Sequence, residues 1–264
     1  MNSGKVIRLR RIFKSDCKTV IVAIDHGGFA GPMPGIENFS SLIDKIIAGG
    51  ADAVILNPGP ARFLSQKIAG NLGLILRIDG GTTTLNPIDA PFTVKIAGFN
   101  LANRLAADAV ITTTFVGSPR EHNMLLNLAK SAQSSEFWGL PLIAEMVPLG
   151  PKVAYPHSAE PIKLSARIAA ELGADLIKTN YTQDENSFVE VVKSCIRPVL
   201  MAGGPTIDSP KKVLECVKSA IEAGAAGVAI GRNIWQSKDP EKMTRAIASI
   251  VHEGETVENA TKML

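Results

Sequence analysis

Four stretches of this chain share one pattern: 48-AGGADAVIL-56, 105-LAADAVITT-113, 171-ELGADLIKT-179 and 222-EAGAAGVAIG-231. In each, a helix-forming segment ends in Gly or Ala, a small residue or Asp follows, and a run of apolar and β-branched residues begins. Glycine suits the residue that closes a helix. A run that is apolar at every position, rather than every second one, suits a strand buried on both faces. Each stretch therefore reads as the helix-to-strand joint of a parallel sheet.

Working outward from these joints, eight strands are expected near residues 19–25, 52–57, 73–79, 107–114, 140–146, 174–179, 197–202 and 226–231. Amphipathic stretches long enough for helices lie at 119–138, 159–172, 183–194 and 208–223. Residues 60–70 are too short to read firmly as a helix. A tail helix near 239–251 is followed by a shorter one near 255–263. Eight strands alternating with helices predict an α/β fold, a single (β/α)8 TIM barrel, with residues 1–264 forming one domain. A doubly wound open sheet is the other arrangement, and no G-x-G-x-x-G follows the first strand to favour it. No linker or low-complexity segment divides the chain.

Composition agrees. The 264 residues are 45% hydrophobic and 20% charged, the balance of a globular protein with a full core. Cys17, Cys195 and Cys216 are three and scattered, with no C-x-x-C, which reads as a reduced, cytoplasmic protein. The basic N-terminal segment is not followed by the apolar stretch of a signal peptide, and no apolar run is long enough to span a membrane. A net charge of +3 gives no footing for nucleic acid and leaves room for an anionic metabolite.

In a barrel of this kind the chemistry gathers where the strands end. Lys178 interrupts ADLIKT near such an end. Facing the helix layer it would bury an ammonium among apolar side chains, so the barrel mouth is the direction expected. There its amine can attack a carbonyl and form an iminium, an electron sink; the other reading is a rim or phosphate-binding lysine. Attack needs a neutral amine. An ordinary lysine with pKa about 10.4 is neutral in roughly one molecule in 2,500 at pH 7, and lowering that value to about 7 gains roughly a thousandfold.

Asp25 and His26 end the first strand in VIVAIDHGGFAGP. Asp25 either moves protons or caps the glycine-rich loop behind it, and His26 is expected to be structural. Strands seven and eight end in Gly203–Gly204 and Gly231–Arg232. Glycines there let backbone N–H groups approach a phosphate, and Arg232 can add a bidentate contact. Asp79 in LRIDGG either binds substrate hydroxyls or caps its turn, and Asn57 is similarly open. The histidines, His26, His122, His157 and His252, form no metal-binding spacing, so no metal is expected.

The strand-one DHG, GADLIKTNYT around Lys178, AGGP after strand seven and GVAIGRNIWQ after strand eight resemble the archaeal-type class I aldolase family. The resemblance runs from about residue 5 to the C-terminus. That family includes fructose-bisphosphate aldolases, 2-amino-3,7-dideoxy-D-threo-hept-6-ulosonate synthase and the thiolase acting on phosphorylated autoinducer-2. The resemblance implies a lyase of carbohydrate metabolism that cleaves or forms a C–C bond in a phosphorylated ketose. Lys178 would form the Schiff base, Asp25 would be the acid–base residue, and Gly203, Gly204, Gly231 and Arg232 would hold the phosphate. It implies no cofactor and a homo-oligomer, a pentamer or decamer.

The sequence also departs from the family. Sugar-cleaving and heptulosonate-forming members carry a tyrosine before the strand-five proline, where PLIAEMVPLG places Val147. The synthase has a histidine at the position of Thr113 and a His-Lys pair at that of Asn57 and Pro58. Tyr155, Tyr181 and Glu145 are the candidates to supply the missing proton donor, with Asp79 and His26 in support. The thiolase also lacks that tyrosine and shares the form of 25-DHGGFAGP-32. Acyl transfer to coenzyme A is therefore the alternative reading, and a non-catalytic barrel that binds a sugar phosphate is a third.

Overall fold

The eight apolar runs become the strands of one closed barrel in the computed structural model, which describes residues 2–85 and 91–264. The strands are β1 (Thr19–Ala23), β2 (Ala53–Leu56), β3 (Gly73–Arg77), β4 (Ala109–Val116), β5 (Leu142–Pro148), β6 (Leu176–Asn180), β7 (Val199–Ala202) and β8 (Gly227–Ile230). Each pairs in parallel with its neighbours in chain order, and β8 returns to β1. An open sheet is excluded by that closure.

The repeated joint has a backbone cause. Gly50, Gly173 and Gly224 adopt φ of +86°, +97° and +96°, the left-handed turn that lets the chain leave a helix and enter a strand. In the remaining copy the same place is filled by Ala106 at φ +54°, a conformation that costs an L-residue with a Cβ.

The Asp of the pattern has its own task. Asp52, Asp108 and Asp175 stand just before β2, β4 and β6. Each accepts the backbone N–H of the neighbouring odd strand, from Val20 (2.6 Å), Leu74 (3.0 Å) and Leu142 (2.9 Å) respectively. The basic N-terminus, whose fold the sequence left open, is a helix, Ser3–Ile12, with Lys14 just beyond. Lys5, Arg11 and Lys14 pair with Asp175, Asp108 and Asp52, while Ile12 is fully buried against the barrel interior. This segment closes the N-terminal end of the barrel.

Parity along the strands decides which side chains face inward. Ile21, Ile55, Ile75, Ile111, Ile143, Leu176 and Ala229 form one buried interior cluster. Two residues further along β3, β4, β5 and β6, the same face presents Arg77, Thr113, Glu145 and Lys178. Thr113 pairs with Glu145, and Glu145 with Lys178, in the sheet register. The other strand faces, together with Phe188, Val213, Val217 and Ile247, pack as the barrel-to-helix layer.

The remaining connections differ in detail from expectation. Residues 58–68 do form two short helices, Pro58–Phe63 and Ser65–Ile68. The β3–β4 connection carries a two-residue antiparallel pair, Asp79–Gly80 with Val94–Lys95, that stands over the mouth. The tail helix Pro240–Ala248 widens into a π turn at Ser249–Glu253 before Val257–Thr261. Among the described residues no helix is long and apolar enough to cross a membrane.

Candidate active site

A cavity of about 540 Å³ opens at the C-terminal ends of the strands, in the size range of a small-molecule site. Its lining draws on every barrel strand or the loop that follows it, and includes Asp25, Asn57, Arg77, Glu145, Lys178, Gly203 and Gly231.

Lys178 is 5% exposed, and its Nζ lies 2.6 Å from Glu145 Oε1. The inward direction expected for it is the one observed, and its parity with Leu176 explains why. Glu145 also faces inward and bridges two cations: Oε1 takes Lys178, and Oε2 takes the Arg77 guanidinium and the Thr113 hydroxyl (3.0 Å). Burial works against the charge of Glu145. Lys178 and Arg77 more than offset it, and its carboxyl is lowered to about 2.

Arg77 is the hub, and sequence reasoning passed it over. It donates to Asp25 through Nε (2.8 Å) and Nη2 (2.6 Å), to Asp79 Oδ1 through Nη1 (3.2 Å), to the Thr113 hydroxyl (2.6 Å) and to Glu145. The guanidinium fork matches this convergence of carboxylates as an ammonium would not. A signal existed: Arg77 interrupts LILRIDGG near a strand end just as Lys178 interrupts ADLIKT.

Asp25 does not cap the glycine loop with its side chain; the N–H of Gly28 is taken by the Asp25 backbone carbonyl. Its carboxylate faces Arg77, and Asn57 fixes it from behind by donating to the Asp25 carbonyl at 2.7 Å. Burial would raise the Asp25 carboxyl, but Arg77, His26 and Lys178 hold it well below the ordinary range. Asp79 takes the backbone N–H of Thr113 at 2.6 Å, so its side chain ties to the middle of β4 rather than capping its own turn. Burial outweighs Arg77 there and leaves the Asp79 carboxyl raised. His26 lines the cavity with its ring edge-on to Trp235, and its Nδ1 lies 3.4 Å from Asp25 Oδ1.

Two of the candidate proton donors are not in the site. Tyr155 lies in the connection after β5 and is 76% exposed, outside the cavity lining. Tyr181 stands three positions beyond Lys178, an odd step that turns it to the helix layer. There its hydroxyl pairs with Ser219 and its ring packs on Phe188. Val147 faces into the cavity, two residues past Glu145, so no phenol occupies that wall.

Across the cavity, β7 and β8 end in backbone held close. A Cβ at Gly203 would lie 2.8 Å from Ile230, and one at Gly231 would lie 2.8 Å from the Ala23 carbonyl. Gly204 takes φ +65°. Asn233, a residue the sequence reading did not single out, ties the two loops together. It donates to the carbonyls of Gly203 (2.8 Å) and Pro205 (3.0 Å) and accepts the Ile207 N–H. Arg232 Nη2 donates to the Gly204 carbonyl at 3.0 Å, while its Nε has no hydrogen-bond partner among the described residues. Among those residues no cluster of three or more His, Cys, Asp or Glu is arranged to hold a metal ion; Arg77 fills the space between the carboxylates.

This geometry has close parallels. A model of the DeoC/LacD family aldolases matches residues 19–237. The chain is 37% identical over 250 residues to a class 1 fructose-bisphosphate aldolase of Thermoproteus tenax, covering 92% of this chain and 93% of that one. It is 35% identical over 252 residues to a 2-amino-3,7-dideoxy-D-threo-hept-6-ulosonate synthase of Halobacterium salinarum, covering 96% and 93%. Among solved structures, an archaeal fructose-1,6-bisphosphate aldolase with its catalytic lysine bound to the carbinolamine intermediate superposes with a TM-score of 0.84. It is 34% identical, over 94% of this chain and 99% of the other.

Proposed function

This chain belongs to the DeoC/LacD family of aldolases, and from that premise we propose that Lys178 is the residue through which it makes and breaks C–C bonds as a class I aldolase of a phosphorylated ketose. The observation that carries the assignment is the position of Lys178 Nζ: inside the cavity, 2.6 Å from a carboxylate, in a mouth that also holds the glycine-rich ends of β7 and β8.

The chemistry runs as follows. Glu145 takes a proton from Lys178, and the freed lone pair attacks the ketone carbon; the carbonyl oxygen gains a proton to give a carbinolamine. Glu145 returns its proton as that hydroxyl leaves as water, and the iminium forms. A carboxylate then accepts the proton of the hydroxyl on the carbon two positions from the iminium carbon. The bond between that hydroxyl-bearing carbon and the carbon next to the iminium breaks, the aldehyde departs, and the electron pair flows into the iminium as an enamine. Protonation of the enamine and hydrolysis of the imine free the second product. Asp25 is suited to receive the substrate hydroxyl, since Arg77 keeps it ionised across the working pH range. Gly203, Gly204 and Gly231 supply backbone N–H groups for the phosphate, and Arg232 supplies its charge.

The relatives named fructose-bisphosphate aldolase and heptulosonate synthase support a phosphorylated keto substrate. Acyl transfer to coenzyme A is not needed to account for this site, and neither is a barrel that only binds. A cytoplasmic location and a pentamer or decamer are part of the same reading. Exposed Phe63, Phe137 and Ile196 offer apolar surface for assembly, and sedimentation of the purified protein tests it. The function itself is tested with Lys178→Met: release of dihydroxyacetone phosphate from phosphorylated ketoses is expected to fall by about 10⁴-fold or more while the fold is retained. Full activity in that variant overturns the assignment.

A further inference from the structure

Each turn of the reaction sets one proton aside. It leaves the substrate hydroxyl when the C–C bond breaks, and a proton is needed again on the enamine carbon after the aldehyde has gone. The carboxylates of the cavity are poorly suited to keep it. Arg77 donates twice to Asp25 Oδ2, through Nε at 2.8 Å and Nη2 at 2.6 Å. Glu145 is held between Lys178 and Arg77, and Asp79 between Arg77 and the Thr113 N–H. A carboxylate bonded to a guanidinium is stabilised as the anion and gives up a proton readily.

Neither Arg77 bond reaches Asp25 Oδ1, and that oxygen faces a group able to hold a proton. His26 Nδ1 lies 3.4 Å away, is buried, and has no hydrogen-bond partner among the described residues. Successive residues of a strand point to opposite faces, and Asp25 already faces inward. His26 lines the same cavity because the extended backbone ends there: it takes φ −57° and ψ −31° at the start of the short helix Gly27–Ala30. Three neighbours fix the ring. Trp235 packs edge-on with centroids 5.5 Å apart, Phe29 lies tilted at 5.4 Å, and Gly231 leaves room, since a Cβ there would sit 3.1 Å from Cε1. None of the three titrates. The other cavity imidazole among the described residues, His157, stands in the β5–β6 connection with its Nδ1 toward the Tyr181 carbonyl.

We propose that His26 holds the substrate proton between the two halves of the reaction. The proposal deepens the reading of Lys178 and Asp25 given above and rests on it. Asp25 Oδ1 takes the hydroxyl proton as the C–C bond breaks and passes it to the lone pair of His26 Nδ1, which becomes an imidazolium beside a carboxylate. After the aldehyde has left, the proton returns through Oδ1 to the enamine carbon. The enamine electron pair forms the new C–H bond, the iminium is regenerated, and imidazole and carboxylate end as they began. Asp25 is then the conductor and His26 the store. Imidazole suits that task because it takes and releases a proton near neutral pH.

Dihydroxyacetone phosphate alone tests this, because it forms the imine and then exchanges a carbon-bound hydrogen with solvent through the enamine, with no aldehyde required. Borohydride trapping at Lys178 reads the imine, and proton NMR in D2O reads the exchange. In His26→Gln, half-labelling is expected to stay within about twofold of wild type while exchange falls by about 100-fold. The acid limb of the wild-type exchange profile, where the ring already carries a proton and cannot accept another, is expected to be absent from the variant. His26→Asn, with a shorter side chain, is expected to behave in the same way. Exchange at the wild-type rate in either variant overturns the proposal. So does a loss of trapping equal to the loss of exchange in both variants, which would make the ring a structural part of the site. Failure of dihydroxyacetone phosphate to label Lys178 in the wild-type protein overturns the reading of Lys178 itself.

Discussion

The two ends of the barrel bury the same residue types and use them in opposite ways. At the N-terminal end, Asp52, Asp108 and Asp175 each take a backbone N–H of the sheet and a cation from the N-terminal segment. At the C-terminal end, Asp25, Asp79 and Glu145 converge on one arginine, and Lys178 is held by Glu145 with the cavity open beside it. A carboxylate fastened to main chain fixes strand geometry. One fastened to other side chains beside a cavity, as Asp25 and Glu145 are, can exchange partners with a ligand. What separates structure from chemistry here is the partner, not the residue.

Breaking the hub has the largest expected effect. Arg77→Met leaves three carboxylates facing one another, and unfolding free energy at pH 7 is expected to fall by about 3–5 kcal/mol. Part of that loss returns as pH drops toward 4, because protonated carboxyls no longer need the guanidinium. Denaturant titrations at the two pH values measure it, and equal losses at both would show that the carboxylates are not coupled through Arg77.

Asp175→Ala tests the other end. It leaves the Leu142 N–H without its acceptor and Lys5 with the exposed Glu136 as its remaining carboxylate, at an expected cost of about 3 kcal/mol of stability, with kcat unchanged at temperatures where the variant is folded. A loss of kcat in the folded variant would erase the distinction between the two ends.

Glu145→Gln sharpens the comparison from the catalytic side. It is expected to lower kcat by about 100-fold and to lower the melting temperature as well, because Lys178 loses its carboxylate partner. The folded Glu145 carboxyl lies near 2 against an ordinary 4.5, so its contribution to stability is full above the ordinary value and is lost as pH falls toward 2. Acid unfolding of the variant, followed by circular dichroism, should be correspondingly flatter.

The smallest expected effect lies at the N-terminal end. His252 touches Asp16 at 2.7 Å and Asp52 at 2.9 Å. Burial disfavours its charge, but the hydrogen bonds to these carboxylates prevail and raise it above 6.5. Its stabilisation is complete below pH 6.5 and disappears as pH rises through the folded value. Melting curves across pH 6–9 should show a wild-type decline, flattened by about 2 °C in His252→Gln. An unchanged slope would mean the histidine is not a charged member of that cluster.

The sequence made the barrel legible because helix-to-strand joints repeat and strands buried on both faces are apolar throughout. That same uniformity hid the inward face. With no alternation along VIVAID or LILRID, parity became visible only once the register was known, and so Arg77 went unseen although it interrupts its strand as Lys178 does. Lys178, Asp25 and the glycines of β7 and β8 were legible as polar or small residues where apolar runs stop. Tyr155 and Tyr181 have the right residue type and lie in sequence just past strand ends. An exposed loop and an odd step past Lys178 carry them away from the cavity. The role of Asp175 and its equivalents in closing the sheet depended on contacts more than 30 residues distant in sequence.

The central claim is that one amine in the barrel mouth becomes covalently joined to a ketone. Incubation with dihydroxyacetone phosphate and borohydride, followed by proteolysis and peptide mass mapping, measures that bond. A single reduced adduct is expected on the peptide containing Lys178, absent from Lys178→Met and weaker in Glu145→Gln. An adduct on another lysine, or substrate turnover with no adduct anywhere, would contradict it.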